Sequence, residues 1–343
     1  MQRALELAEC GHLHVSPNPK VGCVIVHQNT IIGEGFHTAY GQPHAEVNAI
    51  ASVKNKELLK KSTLYVTLEP CSHFGKTPPC ADLIIEQQIP HVVIAVSDPN
   101  QKVCGQGIEK LKKAGCNVET GLLEQEAIEL NKRFFCFHRQ KRPYIILKYA
   151  QTLDGFMDSN QRECKNRESY WISNNHLRHK VHHWRAEEDA VFAGANTIIH
   201  DNPQLNIRYC SGNNPVRISF FSKMIDEKLH IFDHSQPSII FNLEKEEQQG
   251  NIHFCKLNDG NNIWQQILSK LYELKIQSLF VEGGQRTLQE LINLGFWDEA
   301  RILVGNKSFG NGLNAPTLSH TPVKIENICG DKIIWYKNKK NNG

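Results

Sequence analysis

The sequence predicts two α/β domains in series. Three observations carry this reading. The length is 343 residues, against roughly 100–200 for a single domain. Short apolar runs alternate with helical patterns along the whole chain. A charged stretch, RQKRP, interrupts that alternation at Pro143, so the expected domains are 1–142 and 143–343.

The elements follow in order. MQRALELAECG places Ala4, Leu5 and Ala8 on one helical face, an amphipathic helix rather than a targeting segment. VGCVIVH and TIIGEGFH read as adjacent strands, PHAEVNAIASV as a helix and STLYVTLEP as a strand. CADLIIEQQ reads as a helix, PHVVIAVSD as a strand and GIEKLKKAG as a helix. EQEAIELNKRFF is expected to form one polar helix leading to the boundary. Beyond it, YIILKYA, DAVFAGA, VRISFFS, SIIFN, QSLFVEGG, EARILVG and KIIWYK are strand candidates. NNHLRHKVHHWR, NNIWQQILSKLYEL and GQRTLQELINLG are helix candidates. This order makes sheets covered by helices.

Composition narrows the function. With 39 basic and 36 acidic residues the net charge is +3, too small and too evenly spread for a nucleic-acid or membrane surface. The basic run Lys337-Asn338-Lys339-Lys340 reads as a solvated terminus. Eleven cysteines are scattered rather than framed, and no apolar run approaches the ~20 residues of a membrane span. A reducing cytoplasm is expected, with cysteines as small core residues or metal ligands.

The chemistry centres on GQPHAEVNAI and TLEPCSHFGKTPPC. A catalytic zinc site uses three protein ligands and one open position, a number that His44, Cys71 and Cys80 supply. Glu46 shares the first helical turn with His44. Zinc lowers the pKa of a bound water to about 7, and a carboxylate so placed can carry the released proton to a leaving amine. H-x-E followed by P-C-x-x-C marks the zinc nucleobase deaminases; here eight residues, not two, separate the cysteines. The extra residues include Ser72, His73, Gly75, Lys76 and Thr77, donors and a cation suited to a phosphate. Residue types alone leave a solvated turn open. Asn18 between two prolines, and Asp98 and Asn100 at a strand end, are further ligand candidates.

These residues together resemble a known family. PNPKVGCVIV, GEGFH, PHAEVNAI, TLEPCSHFGKTPPC and DPN resemble the deaminase domain of the bifunctional riboflavin-biosynthesis deaminase-reductases. KYAQTLDG, WIS, DNPQLNIR, VEGG and DEARILVGNKSFGNG resemble the reductase domain of the same enzymes. The resemblance implies a cytidine-deaminase-like three-layer α/β domain followed by a dihydrofolate-reductase-like α/β domain. The first would deaminate 2,5-diamino-6-ribosylamino-4-pyrimidinone 5'-phosphate. The second would use NADPH to reduce the ribosyl group to a ribityl chain. One Zn2+ per chain, a phosphorylated pyrimidine as substrate and a homo-oligomer, dimer or tetramer, are implied as well.

By motif match the zinc ligands are His44, Cys71 and Cys80, and Glu46 is the proton carrier. Asn18, His73, Lys76, Asp98 and Asn100 become contacts of the deaminase substrate. In the reductase, Ser169, Arg185, Leu205, Arg208 and Glu282 become substrate contacts, the two arginines as two-pronged phosphate holders. Gln151, Trp171, Thr197, Asp201, Ser222 and the turn Gly284, Gln285, Arg286, Thr287, Leu288, Gln289 and Glu290 become cofactor contacts. Gly283-Gly284 between a strand and a helix would let backbone N–H groups approach a pyrophosphate. The chain departs from the family pattern in a long loop between Gly155 and Trp171, in KNRES, in FFS at 220–222 and in DPNQ.

Other readings stay open at this point. A nucleic-acid base deaminase would need basic patches with interleaved aromatics, which the sequence lacks. A second domain that only scaffolds is another. His176, His179 and His183 share a helix face, but no carboxylate or cysteine is arranged to complete a metal site there.

Overall fold

The computed structural model describes residues 1–11, 15–72, 78–100, 103–159, 171–223, 225, 228–260 and 262–339. The chain divides into two compact units, Met1–Arg142 and Pro143–Gly343.

In the first unit a five-stranded sheet has the order β2-β1-β3-β4-β5. Its strands are β1 (Gly22–His27), β2 (Thr30–Phe36), β3 (Thr63–Val66), β4 (His91–Ile94) and β5 (Asn117–Thr120). β1 runs antiparallel to β2 and β3, whereas β3, β4 and β5 run parallel. Residues just past the ends of β3 and β4 therefore share one rim of the sheet, where α/β folds place ligands.

Helix α1 (Gln2–Glu9) buries Ala4, Leu5, Leu7 and Ala8, so Leu7 joins the expected inward face. α2 (Ala45–Ser52) and α3 (Cys80–Glu86) pack their apolar sides on the sheet through Ala45, Ala49, Ile50, Ala81 and Ile84. α4 (Gln106–Lys113) covers β5 with Leu111. The segment expected as one helix is two, α5 (Glu124–Leu130) and α6 (Lys132–Gln140). The break has a cause: the Asn131 side chain accepts from Lys20 N at 2.8 Å and donates to Lys20 O at 2.9 Å. That clamp holds the segment just after Asn18.

The second unit is built on a ten-stranded sheet. Its middle is β6 (Tyr144–Gln151), β8 (Ala190–Phe192), β9 (Val216–Phe221), β10 (Ser238–Asn242) and β13 (Ser278–Val281); β7 (Phe156–Ser159) lies outside it. These five are parallel, in the order β10-β9-β8-β13-β6. Beyond β10 lie β12 (Ile252–Lys256) and then β11 (Glu247–Gln249). Beyond β6 lie β14 (Glu299–Val304), β17 (Asp331–Lys337) and β16 (Lys324–Ile328); β15 (Gly312–Asn314) instead pairs with β7. The sheet carries α7 (Asn175–Ala186), α8 (Ala195–Asp201), α9 (Ile263–Glu273) and α10 (Gln285–Leu294). Asn174 starts α7 by accepting from Leu177 N at 3.0 Å, the usual work of an N-cap. α9 and α10 bury Ile267, Leu271, Leu288 and Leu291 against Ile145, Leu147, Leu279 and Val281 of the central strands. Among the described residues no helix is long and apolar enough to cross a membrane.

Candidate active sites

In the first unit the H-A-E and P-C motifs meet. His44 is the N-cap of α2, Glu46 lies in its first turn, Cys71 follows β3 and Cys80 is the first residue of α3. The His44 Nδ1 lies 3.5 Å from Cys71 Sγ and 3.3 Å from Cys80 Sγ. All three donor atoms fall within 4.8 Å of one another. The Cys80 backbone N–H donates to Cys71 Sγ at 3.3 Å, so α3 begins against the Cys71 sulfur. The hydrogen bond from the Cys80 thiol, with those from His44 and the Cys80 backbone, holds Cys71 below the usual thiol range. One imidazole and two sulfurs, one already disposed to ionise, form the donor set that zinc takes.

Glu46 is 3% exposed. Burial pushes its carboxyl up to about 7, helped by the negative Cys71 and opposed by His44 and the Cys80 thiol. A group that titrates near neutrality can both take and give a proton.

Around this centre, Asn18 Nδ2 lies 3.1 Å from His37 Nε2, and His37 Nδ1 lies 3.2 Å from the Pro43 carbonyl. With a proton on Nδ1 the imidazole donates to Pro43 and accepts from Asn18. The His37 ring also meets His44 edge-on at 5.4 Å. His37 thus positions a substrate candidate beside a ligand, and it is a residue that reading the motif alone passed over. Asn100 N donates to Asp98 Oδ1 at 2.8 Å, which folds the loop after β4 on itself. His73 and Lys76 lie outside the described residues, as does Ser169 of the reductase set.

In the second unit, Arg185 in the last turn of α7 meets Glu282 just after β13. Arg185 Nε donates to one carboxylate oxygen, and Nη2 donates to the other at 2.8 Å. Arg185 Nη1 donates to the Asn206 carbonyl at 2.8 Å. The two-pronged face expected to hold a phosphate is therefore filled by Glu282, and the pairing is intramolecular. Lys148 on β6, a residue not singled out from sequence, stands 3.5 Å from the same carboxylate. Burial works against the Glu282 charge, but Arg185 and Lys148 prevail and bring its carboxyl down to about 2. The Lys148 ammonium is lowered by burial and by Arg185, with Glu282 opposing.

Arg208 is exposed, and its Nη1 donates to Gln204 and Asn206 side chains at 3.0 and 2.6 Å. Its backbone N–H donates to His182 Nδ1 at 3.2 Å. Leu205, buried, has φ +52° and so sits in the left-handed region.

A cradle lies where α8 and α10 begin. Gly194 N donates to Gly283 O at 3.2 Å, and Gly284 N donates to Thr197 Oγ1 at 3.1 Å. Gly283 has φ +144°, and a Cβ on Gly194 would lie 2.5 Å from Thr287 Oγ1. Thr287 Oγ1 sits this near Gly194 because that residue has no side chain, and glycine suits the positive φ of Gly283. Thr197, Gly284 and Thr287 are thus brought together, with Gln285 to Glu290 continuing into α10. These residues stand at the start of a ten-residue helix, with the N–H groups of Gly194 and Gly284 donating to Gly283 O and Thr197 Oγ1. Gln151 ends β6, and its carbonyl accepts from Gly305 N at 2.9 Å. Trp171 is 42% exposed and stacks under the Arg178 guanidinium at 3.8 Å. Asp201 lies at the far end of α8, and Ser222 is exposed just past β9, with Phe221 before it turned into the core against Phe232.

His179 stacks on Tyr209 at 4.5 Å, and the histidines of α7 form no metal group among the described residues. Glu246, His253 and Cys255 do come close, but Glu246 already accepts from Lys256 N at 2.6 Å and holds its own hairpin.

Fold and sites define a zinc-binding deaminase unit joined to a reductase unit. Residues 1–96 match the cytidine and deoxycytidylate deaminase zinc-binding region, and residues 143–329 match the RibD C-terminal domain. The riboflavin biosynthesis protein RibD of Aquifex aeolicus is 38% identical, with 98% of this chain and 97% of that protein covered. The Escherichia coli RibD is 33% identical over 91% of this chain and 88% of its own. A Thermotoga maritima crystal structure, of a diaminohydroxyphosphoribosylaminopyrimidine deaminase/5-amino-6-(5-phosphoribosylamino)uracil reductase, is 39% identical. It superposes with a TM-score of 0.86, covering 98% of this chain and 97% of that one. The chain belongs to the RibD family, the bifunctional deaminase/reductases of riboflavin biosynthesis.

Proposed function

We propose that the first unit hydrolyses the ring amine of a diaminopyrimidine ribosylamine 5'-phosphate and that the second reduces the ribosyl group of the product with NADPH. The observation that carries this is the His44–Cys71–Cys80 cluster with buried Glu46 beside it. His44, Cys71 and Cys80 would hold one zinc, which supplies a Lewis acid able to acidify water near neutrality. Glu46 takes the proton from water as its oxygen adds to the ring carbon, then gives a proton to the amine, which leaves as ammonia. Asn18, held by His37, and Asp98 and Asn100 at the strand rim bind the ring and ribose, with His73 and Lys76 as phosphate contacts.

In the second unit the Gly194–Gly283–Thr197 cradle supports a site for the cofactor pyrophosphate, and NADPH when bound supplies the hydride. Gln151, Trp171, Asp201 and Ser222 are assigned to the cofactor in the same proposal. Lys148, 3.5 Å from Glu282, holds a proton for the ring oxygen released when hydride adds to C1' of the ribosyl group and the C1'–O bond breaks, the C1'–N bond being kept. Arg185 fixes Glu282, Arg208 takes the substrate phosphate, and Ser169 and Leu205 line the substrate. Thiol ligands need a reducing compartment, which supports a cytoplasmic location.

The test is Cys80→Ser, assayed for zinc and for both reactions. Zinc content and ammonia release should fall to background, while NADPH oxidation with the already deaminated pyrimidine continues. Full zinc retention in that variant would remove Cys80 from the site.

A further inference from the structure

Glu69, between β3 and Cys71, is 4% exposed, and among the described residues its carboxylate bonds backbone N–H groups. One oxygen accepts from Gly107 N at 2.9 Å and Ile108 N at 3.4 Å. The other accepts from Gly105 N at 3.0 Å and Asp98 N at 3.2 Å. The backbone N–H of Glu69 itself donates to Val96 O at 3.0 Å. α4 has no cap from its own N-cap residue, Gly105, so a residue far away in sequence supplies one. The four donors and the positive end of the helix dipole compensate the buried charge. Contact continues into the next peptide, since a Cβ on Gly107 would lie 2.1 Å from the Pro70 carbonyl oxygen. The start of α4 therefore rests on the turn that delivers Cys71.

We propose that Glu69 is a positioning residue of the deaminase. Its carboxylate ties the turn bearing Cys71 to the loop bearing Asp98 and Asn100, and so sets where the substrate ring lies relative to the metal ligands. The inference rests on the deaminase reading above. A carboxylate suits the task because it offers two oxygens, each able to take two donors. An amide in its place keeps one such oxygen and turns an NH2 against the other pair of N–H groups. The loop must then move, and displacements near 1 Å in substrate-positioning groups can cost about 10²-fold.

The experiment compares Glu69→Gln and Glu69→Asp with wild type, measuring zinc per chain, the kcat and KM of ammonia release, and amide exchange at Gly105 and Gly107. Glu69→Gln should keep its zinc and its NADPH oxidation. It should lose on the order of 10²-fold in kcat/KM for deamination, chiefly through KM, with faster exchange at both glycines. Glu69→Asp keeps the charge but cannot span both donor pairs, and it should show the same KM-weighted loss to a smaller degree. If the amide variant does not fold, the aspartate variant decides alone. Unchanged KM overturns the proposal, as does a loss of activity that only follows a loss of zinc. A wild-type chain that releases no ammonia would defeat the deaminase reading instead, so the two failures are distinguishable.

Discussion

Each unit holds one buried glutamate at the centre of its candidate site, and the two are driven in opposite directions. Glu46 is pushed up to about 7 by burial, beside the negative Cys71. Glu282 comes down to about 2 despite its burial, because Arg185 and Lys148 lie against it. Burial by itself raises a carboxyl; cations placed by distant parts of the chain reverse the sign. The first arrangement suits a group that moves a proton, the second a fixed anion that holds an arginine and a lysine in place.

The largest change should come from breaking the fixed anion's pairing. Arg185→Ala leaves the Glu282 carboxylate buried with Lys148 alone, and losing one partner of a buried pair costs about 3–5 kcal/mol. Denaturant unfolding of the second unit should register that loss, with NADPH oxidation falling and ammonia release continuing. Adding Glu282→Gln to Arg185→Ala should recover part of the stability. No recovery would mean that the charge on Glu282 is not what Arg185 compensates.

A smaller effect lies in pH dependence. Glu282 binds fewer protons folded than unfolded between its ordinary 4.5 and about 2, so its contribution is complete above 4.5 and lost as pH falls towards 2. Glu46 in zinc-free protein has the opposite sign. Folding holds its proton up to about 7 against an ordinary 4.5, so stability falls as pH rises through that window and levels off above it. Each pKa unit is worth about 1.4 kcal/mol. Unfolding followed against pH after chelation should lose the alkaline-side slope in Glu46→Gln and the acid-side slope in Glu282→Gln. Equal slopes in both variants and wild type would erase the contrast.

What was legible in the sequence was what lies close along the chain. H-A-E occupies one helical turn, P-C opens from a strand, and alternation of apolar runs located β1 to β4, β6, β8 to β10, β13, β14 and β17, but not β12 beside β10. Features made by distant partners were not legible. Asn131 and Lys20 are 111 residues apart, and Arg185 and Glu282 are 97 apart, so neither the helix break nor the filled arginine fork leaves a local pattern. Arg301 is only 4% exposed, its guanidinium lying over Trp184 and Trp335, contacts that the strand pattern EARILVG does not announce. Strands β5 and β16 were missed because they lie at sheet edges and are largely exposed, which removes the apolar run that signals a strand. Lys148 has no motif at all; only its 3.5 Å approach to Glu282 marks it.

The central claim is that one glutamate carries a proton and the two chemistries are separate. Glu46→Gln tests it most directly, because the amide keeps the shape and leaves the three zinc donors intact. Both activities are measured on that variant, ammonia release from the diaminopyrimidine and NADPH oxidation with the deaminated product. General acid–base groups contribute about 10²–10⁴-fold, so ammonia release should fall by at least about 10²-fold while NADPH oxidation stays at the wild-type rate. Loss of NADPH oxidation in a folded, zinc-loaded Glu46→Gln chain would contradict the account, as would ammonia release that is unchanged.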